Sequence, residues 1–183
     1  EIFRGSLLFR PGSRENYSNS GYTVLAAIIE AVSGQSYVDY IRENLLIPAG
    51  MDSTGFWGEP FAPMASSENT FLGCGTTKDW EYSWVIVGNG GMVSTVSDLQ
   101  KWIESLRDNT QFDDVTREKY GYKAMFENNY GTAGGSNQHN FNATIEYSAQ
   151  TATLVVAVSN GAKLSAESIG RSVLRTAVLP IRH

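Results

Sequence analysis

The sequence predicts an α+β fold, and three observations carry that prediction. Apolar residues recur at helical spacing in the first two thirds. Residues 141–158 then change to strand patterns, and a last helical stretch closes the chain. The order is therefore helices, an antiparallel sheet and a closing C-terminal helix. Residues 1–112 read as the mainly helical part of one domain, and residues 113–183 as its sheet and last helix.

Each element has its own signal. Arg10-Pro11-Gly12-Ser13 marks a turn. A helix follows over about 22–32, with Leu25, Ile28, Ile29 and Val32 on one stripe and Gly34 as its stop. A second helix runs over about 37–46, with Ser36 as a candidate cap and Pro48 shortly after it. Residues 52–84 read as loop. Thr95 and Asp98 have the spacing of N-cap and N3, with Asp in place of the usual Glu or Gln. Leu99, Trp102, Ile103 and Leu106 give that third helix its apolar face. Residues 121–126 read as a strand. Phe141, Ala143, Ile145 and Tyr147 alternate with polar residues and predict a half-buried strand. Residues 148–151 make a turn. The apolar run at 153–158 predicts a central strand buried on both faces. Residues 165–179 form the closing helix, with Ile169, Val173 and Leu174 turned inward.

Composition excludes several function classes. The chain has 183 residues, 42% of them hydrophobic and 18% charged, enough for one domain with a core. The net charge is -5 with no dense Lys/Arg run, which argues against a nucleic-acid partner. No apolar run approaches the ~18 residues of a membrane span. The single cysteine, Cys74, excludes an internal disulfide and reads as a buried or bystander thiol. His139 and His183 are the only histidines, so no metal site and no cofactor is expected.

Three local patterns, in order, resemble one family. The first is Tyr17-Ser18-Asn19 ahead of a helix ending Val32-Ser33-Gly34, continued by Leu46-Ile47-Pro48-Ala49-Gly50-Met51-Asp52-Ser53-Thr54. The second is Gly90-Gly91-Met92-Val93-Ser94-Thr95-Val96-Ser97-Asp98-Leu99. The third is Tyr130-Gly131-Thr132-Ala133-Gly134-Gly135 before the last strands. Together they resemble the serine β-lactamase/penicillin-binding-protein-like family, in particular its class C β-lactamase, esterase and D-aminopeptidase members. The first matches the family's Tyr-x-Asn motif, the second its Gly-Gly-…-Ser-Thr-x-x-Asp-Leu segment, and the third stands where the family has a Lys-Thr-Gly or His-x-Gly strand.

The resemblance implies a β-lactamase/transpeptidase-like fold and acyl transfer through serine. That chemistry needs a nucleophile, a base and oxyanion donors. It assigns Tyr17 to acid/base work and gives Asn19 a hydrogen bond to the substrate amide. Both would project from an extended segment. Thr132, Ala133 and Gly134 would line the opposite wall of one cleft. A free tyrosine titrates near ~10, so its use as a base calls for a neighbouring cation.

The sequence departs from the family pattern twice. No Ser-x-x-Lys occurs in it: Ser97 is followed at i+3 by Gln100, and Ser159 by Ala162. The family's nucleophile motif and first strands would precede Glu1. Thr132 stands where Lys or His is expected; it can hydrogen-bond a carboxylate but brings no charge. His139 and Lys123 are candidates to compensate.

Blander readings stand beside these. Tyr17 reads equally as a partly buried tyrosine, Asn19 as a helix cap, and Thr132 and Gly134 as ordinary strand residues. Trp80, Tyr82 and Trp84 either line a cleft or pack a long loop. Two functions follow. One is part of a serine hydrolase acting on an ester, an amide or a peptide. The other is a non-catalytic binding module that keeps the fold and cleft. Without the family's first strands, the sheet and the stripe at Leu25, Ile29 and Val32 would lack cover, which predicts a complementing chain or second copy. By resemblance alone the site of action is periplasmic or extracellular.

Overall fold

The computed structural model describes residues 6–60, 65, 83–108, 110–136, 141–160 and 165–178. Cys74, Trp80, Tyr82, His139 and Leu179, for which the sequence carries expectations, lie outside these ranges.

Helix α1 spans Asn19–Ser33 and starts earlier than its apolar stripe suggests. Ser18 is extended, and its hydroxyl accepts the Gly21 N–H at 3.1 Å, which supplies the N-cap. Asn19 is therefore the first helical residue, not the cap. Gly34 ends α1 at φ 73, a left-handed position suited to glycine. Helix α2, Tyr37–Ile41, is capped by Ser36 as expected and runs on into a π-helical turn, Arg42–Leu46. Ile41, Leu46, Met51 and Phe56 form a buried cluster, with Tyr37, Val38, Leu45 and Trp102 packed around it.

Strands β1 (Gly55–Phe56) and β2 (Met92–Val93) pair antiparallel. They bring the two ends of the intervening segment to the start of α3, Val96–Arg107. Thr95 caps α3 by accepting the Asp98 N–H. The Asp98 carboxylate reaches from α3 to the segment just before β1. It is 2% exposed and accepts the Ser53 N–H at 2.7 Å, the Thr54 hydroxyl at 2.9 Å and Lys101 Nζ at 3.0 Å. Thr54 Oγ1 also lies 2.7 Å from Ser94 Oγ. Lys101 reaches on to the Gly50 carbonyl at 2.6 Å.

Residues 121–126 are not a strand. After α4 (Asp114–Lys119), Gly121 at φ 75 opens a short helix α5, Tyr122–Glu127. Aromatic packing holds it: Tyr122 stacks on Phe112 at 5.4 Å, and Phe126 meets Tyr147 edge-on at 5.3 Å. Strands β3 (Tyr130–Ser136), β4 (Phe141–Ser148) and β5 (Thr153–Ser159) form an antiparallel sheet in the order β3-β4-β5. The central strand is thus β4; β5, read from sequence as central, ends the sheet among the described residues. Its Val158 is 53% exposed.

The burial of β4 also reverses expectation. Its polar residues Thr144 and Glu146 are 1% and 6% exposed, as deep as Tyr147. They face α6, Ala166–Val178, which packs on β4 and β5. Close approach sets the inward face of α6. A methyl group on Gly170 would lie 2.5 Å from Thr144 Cγ2, and Ala166 is fully buried. Ile169 and Val173, expected inward, are 37% and 48% exposed, while Leu174, on the face of Ala166 and Gly170, is half-buried.

Of the α1 stripe, Leu25, Ile28 and Val32 are 56%, 51% and 83% exposed, while Ile29 is half-buried. Among the described residues no helix is long and apolar enough to cross a membrane.

Asp98 gives a prediction with a definite sign. Burial works to raise its carboxyl, and the hydrogen bonds from Lys101, Thr54 and Ser53 overcome this and hold it below the ordinary carboxylate value. Its folded pKa lies below the unfolded one, so its stabilisation is complete above about pH 4 and is lost as pH falls through the folded value. Asp98→Ala is expected to cost about 2–3 kcal/mol in urea unfolding at pH 7 and to remove that part of the acid dependence. A loss below ~0.5 kcal/mol, within the range of ordinary surface changes, would contradict the role given to this carboxylate.

Candidate functional site

Tyr17 lies in the segment leading into α1, where the Ser18 cap turns the chain from extended to helical. Its ring is 76% exposed and packs at 5.8 Å on Tyr22, tilted by 49°. It is not the partly buried tyrosine of the blander reading. The Tyr17–Asn19 stretch is not extended throughout either: Asn19 already belongs to the first turn of α1, and it is exposed. The two side chains leave the chain on either side of the cap. The basic residue before them, Arg14, sits over the Phe9 ring at 4.6 Å.

Thr132, Ala133 and Gly134 lie on β3, opposite Ile145, Thr144 and Ala143 of β4. This is an outer strand of the described sheet, so part of its backbone faces away from β4. Nothing lies within 4 Å of where a Cβ would stand on Gly134. An extended ligand can approach such a backbone closely. Lys123, a candidate to replace the missing charge, is on α5 and exposed. Trp84 is 47% exposed. Among the described residues no group of three His, Cys, Asp or Glu side chains could hold a metal.

Two buttresses of these segments were not legible in the motifs. Behind β3, Gly131 faces Glu146, its register partner on β4. A methyl group on Gly131 would lie 2.3 Å from Glu146 Oε2. Glu146 Oε1 accepts the Thr144 hydroxyl at 3.1 Å and pairs with Arg171 Nε at 3.5 Å. The acidic character of position 146 reads from sequence as the wet side of a strand, and nothing local announces that a helix covers it. Beside α1, Thr23 and Asn89 join the helix to the loop before β2, with Thr23 Oγ1 donating to the Val87 carbonyl at 3.1 Å.

Gly131→Ala is expected to push the Glu146 carboxylate off Thr144 and Arg171 and to cost about 1–3 kcal/mol in urea unfolding. In a Glu146→Ala background the same change should be close to neutral, within about 0.5 kcal/mol. Equal losses in both backgrounds would show that the carboxylate is not what the glycine accommodates.

Set beside known proteins, residues 2–177 match the family model described as Beta-lactamase. The chain is 36% identical over 104 residues to the serine beta-lactamase-like protein LACTB, mitochondrial, of Mus musculus, an alignment covering 52% of this chain and 18% of that protein. It is 28% identical over 116 residues to a D-aminopeptidase of Brucella anthropi, covering 60% and 20%. In fold it is similar to the octameric penicillin-binding protein homologue from Pyrococcus abyssi, with TM-score 0.69 and 22% identity over 93% of this chain and 44% of that one. The chain thus spans less than half the length of each of these proteins.

Proposed function

Because the chain belongs to the Beta-lactamase family of serine hydrolases, we propose that it forms part of a hydrolase that works through an acyl-enzyme on an ester, an amide or a peptide. The observation that carries this reading is the exposed Tyr17 at the capped entrance to α1, two residues before Asn19. In the proposed reaction a serine from a Ser-x-x-Lys motif outside these 183 residues attacks the substrate carbonyl. Beside the lysine of that motif, which supplies the cation its use as a base requires, Tyr17 takes the serine proton and returns it to the leaving group. Water then attacks the acyl-enzyme by the same proton path in reverse. Asn19 orients the substrate amide. The backbone of β3 at Thr132, Ala133 and Gly134 forms the opposite wall of the cleft.

Thr132 and the relatives bear on the substrate class. Without Lys or His at this position, a substrate carboxylate gains a hydrogen bond but no charge pair, which disfavours β-lactams and peptides recognised through a free carboxylate. The D-aminopeptidase relative supports an amide or peptide that carries a D-amino acid. A second reading, a binding module that keeps the fold and cleft without catalysis, is favoured by the same threonine and by the lack of Ser-x-x-Lys in the sequence. A serine in that motif on a helix of the natural protein separates the two.

Exposed Leu25 and Val32 of the expected stripe, together with β5 at the end of the described sheet, support a complementing chain or a second copy, whereas Ile29 is half-buried. A periplasmic or extracellular location remains part of the proposal. One relative carries "mitochondrial" in its name, so family membership does not fix the compartment.

Two outcomes are expected. Incubated with a fluorescent penicillin or a fluorophosphonate and run on a denaturing gel, these 183 residues take up no stoichiometric label. A labelled serine within them would overturn the assignment of the nucleophile to another segment. In size-exclusion chromatography with light scattering, the chain elutes above its 20.0 kDa monomer mass. A sharp monomer that unfolds cooperatively would remove the case for complementation.

A further inference from the structure

The segment before β2 is folded tightly against the first two turns of α1. Within it, the N–H groups of Ile86 and Val87 donate to the Ser83 carbonyl, and those of Gly90 and Gly91 to the Ile86 carbonyl. Val87 and Ala26 are each 1% exposed, so both are closed off from solvent where the segment meets the helix. Gly88 makes this possible. It sits at φ 76, and a methyl group there would lie 2.7 Å from the Tyr22 carbonyl oxygen and 2.9 Å from Ala26 Cβ.

Polar bonds fix the register. Thr23 Oγ1 donates to the Val87 carbonyl at 3.1 Å and lies 3.4 Å from the Asn19 carbonyl. It accepts from Asn89 Nδ2 at 2.8 Å, whose other hydrogen goes to the Val85 carbonyl at 3.0 Å. The reverse amide orientation would set the Asn89 oxygen against the Val85 carbonyl, so this assignment is the one the surroundings satisfy. The two helix residues gripped in this way are the neighbours of the two site residues. Tyr22, whose carbonyl abuts Gly88, packs its ring on Tyr17. Thr23 stands one turn after Asn19 on the same face.

We propose that Gly88, Asn89 and Thr23 form a latch that positions Tyr17 and Asn19 for acyl transfer. The three are positioning residues and touch no reacting atom. The inference rests on the site reading given above and extends it to a loop that carries none of that chemistry. A misplacement of about 1 Å at a reacting group costs on the order of a hundredfold in rate, so loosening the latch should slow turnover more than it weakens binding.

The test uses the intact hydrolase, with D-alanine p-nitroanilide and p-nitrophenyl acetate as probes, and the variants Thr23→Val, Thr23→Ser, Asn89→Ala and Tyr17→Phe. Gly88→Ala is left out because its backbone clash invites misfolding. Thr23→Val and Asn89→Ala are expected to lower kcat about tenfold or more with KM changed less than about threefold, at temperatures where each remains fully folded. Thr23→Ser restores the donor and should keep at least about half of kcat. Amide hydrogen exchange across residues 22–26 should speed up in the two latch variants and stay slow in Tyr17→Phe. If Tyr17→Phe abolishes turnover while Thr23→Val and Asn89→Ala leave kcat unchanged, the latch is overturned and the site reading survives. If the loss of kcat follows the unfolded fraction, the role is structural and the latch is overturned as well. If Tyr17→Phe leaves kcat unchanged, the site reading falls and the latch with it.

Discussion

The buried carboxylate of Asp98 is the joint on which the helical part of the molecule depends. A charge at 2% exposure is tolerable only when its oxygens are occupied, and here three donors occupy them. Two of the donors, Ser53 and Thr54, lie more than 40 residues away in sequence. The carboxylate therefore holds the end of the Met51-Asp52-Ser53-Thr54 loop against the N-terminus of α3. The β1–β2 pair completes the closure, and the cluster of Ile41, Leu46, Met51 and Phe56 fills the space behind it. Once α3 is fixed, its contacts with α5 and β5 place the sheet. The residues that make the family patterns recognisable as strings are thus, in part, the residues that bond to one another across the fold.

A second constraint governs the sheet. Glu146 and Thr144 put polar groups on the face that α6 covers, and they leave so little room that Gly131 and Gly170 lack side chains on either side of them. Arg171, bonded to both Glu146 and Glu167, supplies the countercharge. This arrangement backs β3 from one side, and among the described residues no strand pairs with its outer edge. Such an edge suits the cleft wall proposed for Thr132, Ala133 and Gly134.

Local signals were legible and distant ones were not. Ser36, Gly34 and Thr95 act as caps because capping is settled within four residues. The alternation along β4 located the strand but misassigned its depth, since burial of Glu146 depends on a helix twenty residues later. Residues 121–126 carry strand-like aromatics, and the helix forms because Phe112 and Tyr147 pack against Tyr122 and Phe126. The apolar run of β5 suggested a centre strand, yet β5 ends the described sheet. Of the candidate site, Tyr17 and Asn19 were visible as a motif. Thr23, Gly88 and Asn89 were not, because each is unremarkable until the loop before β2 meets α1.

The central claim is that the entrance to α1 and the outer strand β3 face one reacting carbon. The most direct measurement is a crystal structure of the intact protein trapped as an acyl-enzyme with a slowly hydrolysed substrate. The account predicts the acyl carbonyl between the Tyr17 hydroxyl on one side and the backbone of Thr132, Ala133 and Gly134 on the other, with Asn19 on the substrate amide. An acyl group bound elsewhere, or Tyr17 and Thr132 separated by more than about two helix diameters, roughly 20–24 Å, would contradict it.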